Sequence, residues 1–425
     1  MFAAARAVLD RRLARDVDWP VLVACSGGGD SIALLLMARA WAAEAGRTLI
    51  VVTVDHGLQP QSADWAGAVA RRCAAAGETH LTLRWEGQRP TRGVSAAARE
   101  ARHRLLAQAA REAGARVVLV GHTADDVLEA RLMRMSGSTV PSPREWSPSP
   151  AWPEGRGVFL LRPLLSLGRR EIRQALAGLG ESWIEDPAND NPLSLRARVR
   201  RAIAEGVTAA PESELPDPGR TPFDAGAGGE LVALRSALAQ APLAVSRAWL
   251  GAALVCAAGG RRPPRGPALD RLQGLVRNGE DVAATLAGAR IACENGHVII
   301  AREGADTRAG RPPVLALPPG VSVVWDGRFE VVAHEPDLKI RPLAGAMSRL
   351  APADRQTVLE AHPLARPAMP LVERSNGSVF LPGPGADVEA QPLIMSRLKA
   401  ASGVIDHETA IVAWRTRPQQ PKFAA

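Results

Sequence analysis

Lysine is nearly missing from this chain: Lys339, Lys399 and Lys422 are the only lysines in 425 residues. The cations are arginines set among abundant alanine, the usage that a GC-rich genome produces. The net charge of +8 therefore leaves two readings open, a polyanionic partner or a surface kept soluble by its charge. Cysteine is also scarce. Cys25, Cys73, Cys256 and Cys293 form no CxxC pair and no Cys/His cluster, which argues against structural zinc and a disulfide framework. They read as small buried hydrophobes. No apolar run reaches the length of a membrane span, and the longest, such as Leu49 to Val54, are strand-sized. The first twenty residues carry arginines alongside Asp10, Asp16 and Asp18 and lack an apolar core before a cleavage site. They read as an amphipathic helix and not a signal peptide, so a cytoplasmic protein without a membrane segment is expected.

What is present points to several domains, since the length exceeds one ordinary domain. Over the first two hundred residues, apolar strand-like runs alternate with helical periodicity. Strands are expected at Pro20–Cys25, Thr48–Asp55, His80–Trp85, Arg116–Gly121 and Val158–Leu161. Helices are expected at Ser31–Ala45, Ser62–Ala76, Ser95–Ala113 and Thr123–Met135. Continuous apolar strands separated by helices predict an α/β fold with a doubly wound parallel sheet, whose ligands bind beyond the carboxyl ends of the strands. Ser138 to Gly157 is rich in Pro, Ser and Gly and reads as a functional lid or an insertion. Thr208 to Gly229 reads as a linker. Beyond it, 230–278 is mainly helical in pattern, 283–302 suggests a hairpin, and proline-rich sequence with short strands follows, at Val321–Trp325, Phe329–Ala333, Val379–Leu381 and Ala410–Trp414.

The most informative string is Val21-Leu-Val-Ala-Cys-Ser-Gly-Gly-Gly-Asp-Ser31, running from strand to loop to helix. Successive glycines let backbone N–H groups approach a phosphate, and the following helix adds the positive end of its dipole. Ser26 and Ser31 are placed to hydrogen-bond phosphate oxygens. Asp30 beside a phosphate implies an intervening cation and is a candidate Mg²⁺ ligand. No Gly-Lys-Ser/Thr follows, so the loop is not a Walker A motif.

Four other segments carry chemistry. Val54-Asp55-His56-Gly57-Leu58 closes the second strand. Ala98-Arg99-Glu100-Ala101-Arg102-His103 puts Arg99 and Arg102 on one helix face, either an exposed basic surface or a pair able to clamp a phosphate or an adenylate oxygen. Gly121-His122-Thr123-Ala124-Asp125-Asp126-Val127-Leu128-Glu129 puts three acids after the fourth strand. They are suited to hold Mg²⁺ or to deprotonate an amine, although Thr123-x-x-Asp126 also fits a helix capping box. Finally, Arg162-Pro163-Leu164-Leu165 leads through Arg169-Arg170-Glu171-Ile172 and Glu185-Asp186-Pro187-Ala188-Asn189-Asp190 to Arg196 and Arg200, which share a helix face.

Ser-Gly-Gly-x-Asp-Ser after a first strand resembles the PP-loop ATP pyrophosphatases, which cleave ATP between its α- and β-phosphates. The other four segments resemble the tRNA(Ile)-lysidine synthase family across about residues 19–205. The chain departs from that family's patterns at Gln59 (for Arg), His103 (for Tyr), Gly121, Val127, Ala130 and Ala197 (for Asn). The resemblance implies a PP-loop adenine nucleotide hydrolase-like catalytic domain at 1–207 and a linker at 208–229. It also implies a mainly helical tRNA-binding domain at 230–305 and a small α+β C-terminal domain at 311–425. It implies a ligase that uses ATP and Mg²⁺. The wobble cytidine of the CAU-anticodon isoleucine tRNA is adenylated, free L-lysine displaces AMP, and lysidine results. The protein would act as a monomer or homodimer. The implied catalytic residues are Asp30, Arg99, Arg102, Asp125, Asp126, Arg196 and Arg200. Ser26, Gly27, Gly28, Gly29, Asp30, Ser31, Asp55 and His56 would bind ATP, and Asp30, Asp125 and Asp126 would hold the metal. Arg261, Arg262, Arg265 and Arg271 are expected to grip tRNA. A thiolase of the same superfamily is the nearest rival, but it would need paired or exposed reactive cysteines. An amide ligase would need a glutaminase region, and a non-catalytic RNA-binding protein would have no use for the three acids.

Overall fold

The computed structural model describes residues 2–412 except Gln88, 187–194, 210–218, Arg262, Arg265 and 305–311. The chain divides into two compact units, Met1–Ser213 with Asp406–Ala425, and Glu214–Ile405. Among the described residues no helix is long and apolar enough to cross a membrane.

The first unit contains strands β1 (Val21–Ala24), β2 (Leu49–Asp55), β3 (Thr79–Arg84), β4 (Val117–Val120), β5 (Trp146–Pro148) and β6 (Phe159–Leu161). Its helices are α1 (Ala3–Arg12), α2 (Gly29–Glu44), α3 (Ser62–Ala75), α4 (Val94–Glu112), α5 (Ala124–Met135), α6 (Arg169–Gly178) and α7 (Leu195–Ala204). The strand order is β3-β2-β1-β4-β6-β5, with every pair parallel except β5 on β6. The sequence produces this sheet because its inner strands are apolar on both faces: Val21, Leu22, Val23, Val117, Val118 and Leu119 are wholly buried. On one face Leu106, Ala109 and Ala110 of α4 pack against Leu22, Val118 and Leu160. Helix α2 is buried almost all round, from Ile32 to Ala42, as its unbroken apolar run requires. The order reverses between β1 and β4, so the loops after these two strands flank the switch-point crevice where such sheets bind ligands.

The segment Ser138–Gly157 is not a free lid. Its Trp146–Pro148 stretch pairs antiparallel with β6 as the edge of the main sheet, and the Trp146 ring stacks on Phe159 at 4.8 Å. Burial of Ala151 and Trp152 holds the remainder down. Alternation in β5 is too short to be read as a strand, so only the partner strand revealed it.

The second unit begins with β7 (Asp224–Ala225), β8 (Leu231–Leu234), α8 (Arg235–Gln240), α9 (Leu243–Ala257), α10 (Gly266–Arg277), β9 (Val282–Leu286), β10 (Ala289–Glu294) and β11 (His297–Arg302). The strands form an antiparallel sheet, β7-β8-β11-β10-β9, whose apolar side packs on α9 and α10. The expected hairpin is β10–β11, turning at Asn295-Gly296. There follow β12 (Leu315–Leu317), β13 (Ser322–Trp325), β14 (Phe329–Ala333), β15 (Leu338–Pro342), α11 (Pro352–Glu360), β16 (Pro370–Glu373), β17 (Val379–Phe380), β18 (Val388–Pro392) and α12 (Ile394–Ala401). They form sheets β12-β15-β16-β17 and β13-β14-β18, which share a core of Leu317, Trp325, Val331, Ile340, Val372 and Val388.

Three expectations about domain layout change. Residues 230–305 carry, besides helices α8, α9 and α10, most of a five-stranded sheet of which only the hairpin was expected, and part of the expected linker is β7 beside the buried Phe223. Residues 230–305 do not stand apart from the following strands: Asp326 accepts from Arg302 Nε at 3.1 Å and from the buried Arg328 Nε at 2.8 Å. The last domain ends before Asp406, because residues 406–412 cluster with the first unit. There Glu408, fully buried, accepts from Arg47 Nη1 at 2.8 Å, Arg47 Nη2 at 2.9 Å and the Ala14 N–H at 3.0 Å. The expected strand Ala410–Trp414 is not formed at Ala410, which lies in a short helical turn; Ala413 and Trp414 fall outside the described residues.

Candidate active site

The glycine loop follows β1 directly. The Cys25 N–H makes the last ladder bond, to Val52 O at 2.9 Å, and the chain then turns into α2. Ser31 closes the turn on itself: its Oγ accepts the Ser26 N–H at 3.2 Å, donates to Gly28 O at 2.8 Å and lies 3.3 Å from Ser26 Oγ. Helix α2 has no side-chain cap. Among the described residues no acceptor meets the N–H groups of Gly28, Gly29 and Asp30. Open amides at a helix N-terminus form an anion cradle. Gly27 has φ +85°, and a Cβ there would lie 2.5 Å from Ile184 Cδ1. Ile184 donates its N–H to Gly27 O at 2.9 Å, so the strand of chain through Trp183 and Ile184 braces the loop from outside.

The acids after β4 serve two purposes at once. Thr123 and Asp126 make the capping box: Asp126 Oδ2 accepts from the Thr123 N–H at 3.0 Å and from its Oγ1 at 3.1 Å. The other Asp126 oxygen accepts from Arg196 Nη2 at 2.5 Å. Glu129, buried, accepts from Arg196 Nε at 2.7 Å, Arg200 Nε at 2.6 Å and Arg169 Nη1 at 3.1 Å. Arg169 also donates through Nε to Asp30 Oδ2 at 3.1 Å, and its backbone N–H donates to Asp125 Oδ2 at 2.7 Å. The first residue of α6 thus ties the glycine loop to the start of α5. Burial opposes the charge on Arg169, but Asp126, Asp30 and Glu129 together outweigh it and hold its pKa above the ordinary arginine value. Burial raises the pKa of Asp30, with Asp126 adding to the rise and Arg169 opposing it.

This arrangement bears on magnesium. Asp30 Oδ1 is buried and has no hydrogen-bond partner. Both carboxylate oxygens of Asp126 are engaged, and among the described residues no group of three or more acids, histidines or cysteines is arranged to hold a metal. A site built from Asp30, Asp125 and Asp126 together does not fit. One carboxylate oxygen of Asp30, with phosphates and water supplying the rest, does fit the habit of Mg²⁺.

Facing the acids is a set of cations. Arg99 and Arg102, on one face of α4, make no ion pair with a carboxylate among the described residues. Burial lowers the pKa of Arg99, and burial with the nearby Arg99 and Arg196 pushes Arg102 down to about 10. Arg162 is buried and donates to His122 Nδ1 at 3.1 Å, Arg144 O at 2.6 Å and Ser147 Oγ at 3.0 Å, all neutral acceptors. His122 and His103 are buried, and desolvation with the surrounding arginines drives both down to about 2, so both are neutral. Excess positive charge held out of water calls for an anion. At Gly121 the backbone passes close to the loop: a Cβ would sit 3.1 Å from the Asp30 carbonyl oxygen.

At the end of β2, Asp55 Oδ1 accepts the Gly57 N–H at 2.8 Å, shaping the turn. His56 Nδ1 is buried without a partner. All four cysteines are buried, and burial pushes Cys73 to about 12, which leaves no activated thiol. Sequence reasoning missed Arg169, Arg162 and His122. Arg169 stood in a quoted segment, but helix spacing says nothing of which distant carboxylate it meets. Pro187–Asp190, Arg262 and Arg265 lie outside the described residues.

A PP-loop domain model matches residues 5–207. The tRNA(Ile)-lysidine synthase of Caulobacter vibrioides is 44% identical over 95% of this chain and 98% of its own. That of Hyphomonas neptunium is 38% identical over 82% of this chain and 95% of its own. Among solved structures, the U34-tRNA thiolase from Methanococcus maripaludis aligns with 47% of this chain and 71% of its own at 20% identity and a TM-score of 0.40.

Proposed function

The chain belongs to the tRNA(Ile)-lysidine synthase family, and from that premise we propose how its residues carry out the ATP-dependent formation of lysidine on the wobble cytidine of a CAU-anticodon isoleucine tRNA. The reaction has two steps. The cytidine O2 attacks the α-phosphate of ATP and releases pyrophosphate. The ε-amine of free lysine then attacks C2 and releases AMP.

The open amides of Gly28, Gly29 and Asp30 receive the pyrophosphate, stabilising charge that grows as it leaves. Asp30 Oδ1 is the protein oxygen available to Mg²⁺, which when bound would neutralise phosphate charge. Arg99 and Arg102, lacking carboxylate partners, face the charge that builds on the α-phosphate. Arg196 and Arg200 are committed to Glu129 and Asp126, so their first task is to hold the acids in place. Asp125 is left as the acid for lysine. Its ammonium must lose a proton before attack, against an ordinary pKa of about 10.4. A carboxylate beside it can bind the cation and accept that proton. Arg261 and Arg271 in the second unit are candidates for contacts with the tRNA backbone.

The observation that carries this reading is the meeting of open loop amides, a partnerless Asp30 oxygen and unpaired arginines at one end of the sheet. The test is incubation with ATP, labelled lysine and the tRNA, followed by mass spectrometry of the tRNA and measurement of AMP and pyrophosphate. Asp30→Asn and Arg99→Ala should each lower lysine incorporation by roughly a hundredfold or more, with the fold retained. Activity near that of the wild type would remove the residue from the mechanism.

A further inference from the structure

Beyond the switch point, the ends of β2 and β3 carry a surface that adjoins Asp55 and His56, the residues expected to contact ATP, and that has no role of its own in the reaction above. Trp85 follows β3 directly and is pinned there by its N–H bond to Asp55 O at 2.9 Å. Its ring is only half-buried. The Arg89 guanidinium lies 5.9 Å from the ring centroid, and its Nη2 is 2.5 Å from where a Cβ on Gly57 would stand. The His56 ring meets Trp85 edge-on at 6.1 Å. Leu58, beside them, is 42% exposed. Among the described residues no carboxylate pairs with Arg89; of the three arginines between residues 84 and 92, Arg84 lies 3.7 Å from Asp55, and Glu86 is the one acid in the segment.

Resting on the reading above, we propose that Trp85 and Arg89 form a stacking platform for an unpaired base of the tRNA anticodon loop beside the reacting cytidine. The chemistry selects this occupant. A half-exposed indole with a guanidinium over it, in a locally basic surface, suits a flat base attached to a phosphate chain. A wobble base presented to the glycine loop must leave its stack, which leaves a neighbouring base in need of a new surface. The platform lies two strands from β1, about 10 Å at the usual spacing between strands. Arg89 also lies over the turn at Gly57.

Filter binding of the tRNA without ATP, run beside steady-state kinetics, tests the proposal. Trp85→Ala and Arg89→Gln should each weaken tRNA binding by roughly 5- to 100-fold. The loss should be overcome at saturating tRNA, the KM for ATP should stay within about twofold, and Trp85→Phe should restore binding. Arg89→Gln should also flatten the salt dependence of binding by roughly one unit of slope. Unchanged tRNA affinity in both variants overturns the platform. A raised KM for ATP with unchanged tRNA affinity assigns the surface to adenine and also overturns it. Arg89 is exposed, so its variant reports even where Trp85→Ala does not fold. Wild-type protein that leaves the tRNA unmodified would sink the reaction itself, a separate result from variants that bind as the wild type does.

Discussion

Replacing Arg169 with methionine probes the site at the residue that joins its two halves. The guanidinium reaches Asp30 at 3.1 Å, Glu129 at 3.1 Å and Asp126 at 3.5 Å, with its own side chain 20% exposed. Glu129 keeps Arg196 and Arg200 after the substitution, and Asp126 keeps Arg196. Asp30 loses its only ion pair among the described residues. Breaking a buried pair costs about 3–5 kcal/mol. With two of the three acids still compensated and the site partly open to water, about 2–3 kcal/mol is expected, a fall in Tm of roughly 5–10 °C for a unit of this size. The larger signature is in pH. Burial already raises the pKa of Asp30 and Arg169 opposes the rise, so removing the arginine lifts it further. A carboxylate needed in its ionised form fails once pH drops below its pKa, so the acid limb of the activity profile should move to higher pH. Lysidine formation by the variant should recover as pH rises, on a limb displaced to higher pH than that of the wild type. Thermal unfolding and a profile of labelled-lysine incorporation against pH measure both effects. An Arg169→Met variant with unchanged Tm and an unshifted acid limb would refute the assigned bridge.

Further outcomes follow from individual contacts. Gly27→Ala places a methyl 2.5 Å from Ile184 Cδ1 and strains the backbone at φ +85°, so the Ile184 side chain or the loop must shift, and the KM for ATP should rise by roughly tenfold or more; Ile184→Ala in the same chain should recover the part that is due to the clash. His103 is neutral when folded, with its pKa near 2, and titrates near 6.5 when unfolded. The unfolded state therefore binds the extra proton between these values, and stability falls as pH drops below about 6.5, by up to about 1.4 kcal/mol per unit for each such histidine. Denaturant melts of His103→Phe between pH 7 and pH 5 should show a shallower loss than the wild type, and an identical slope would contradict the burial argument. Glu408→Ala leaves Arg47 buried without its partner and should cost about 3–5 kcal/mol. A chain ending at Ile405 should lose comparable stability in the first unit, and a Tm within a degree or two of the wild type would count against the clasp.

Much of this protein was legible before any coordinates. The parallel sheet follows from apolar runs such as Val21–Ala24 and Val117–Val120 set between helical periods, and the loop from Ser26 to Ser31 announces a phosphate by its glycines and its place before a helix. These features are local, since they depend on residues a few positions apart. Tertiary structure alone decided the rest. It routed Arg169 to Asp30 and Glu129, fitted Trp146 to the sheet edge through Phe159, and returned Glu408 to Arg47 from the far end of the chain. A charge or an aromatic ring can find its partner at any sequence separation, and the pairing is settled by which groups burial brings together. Periodicity carries no record of that choice, so Asp126 read as either a helix cap or a ligand in the sequence and proved to be a cap held by arginine.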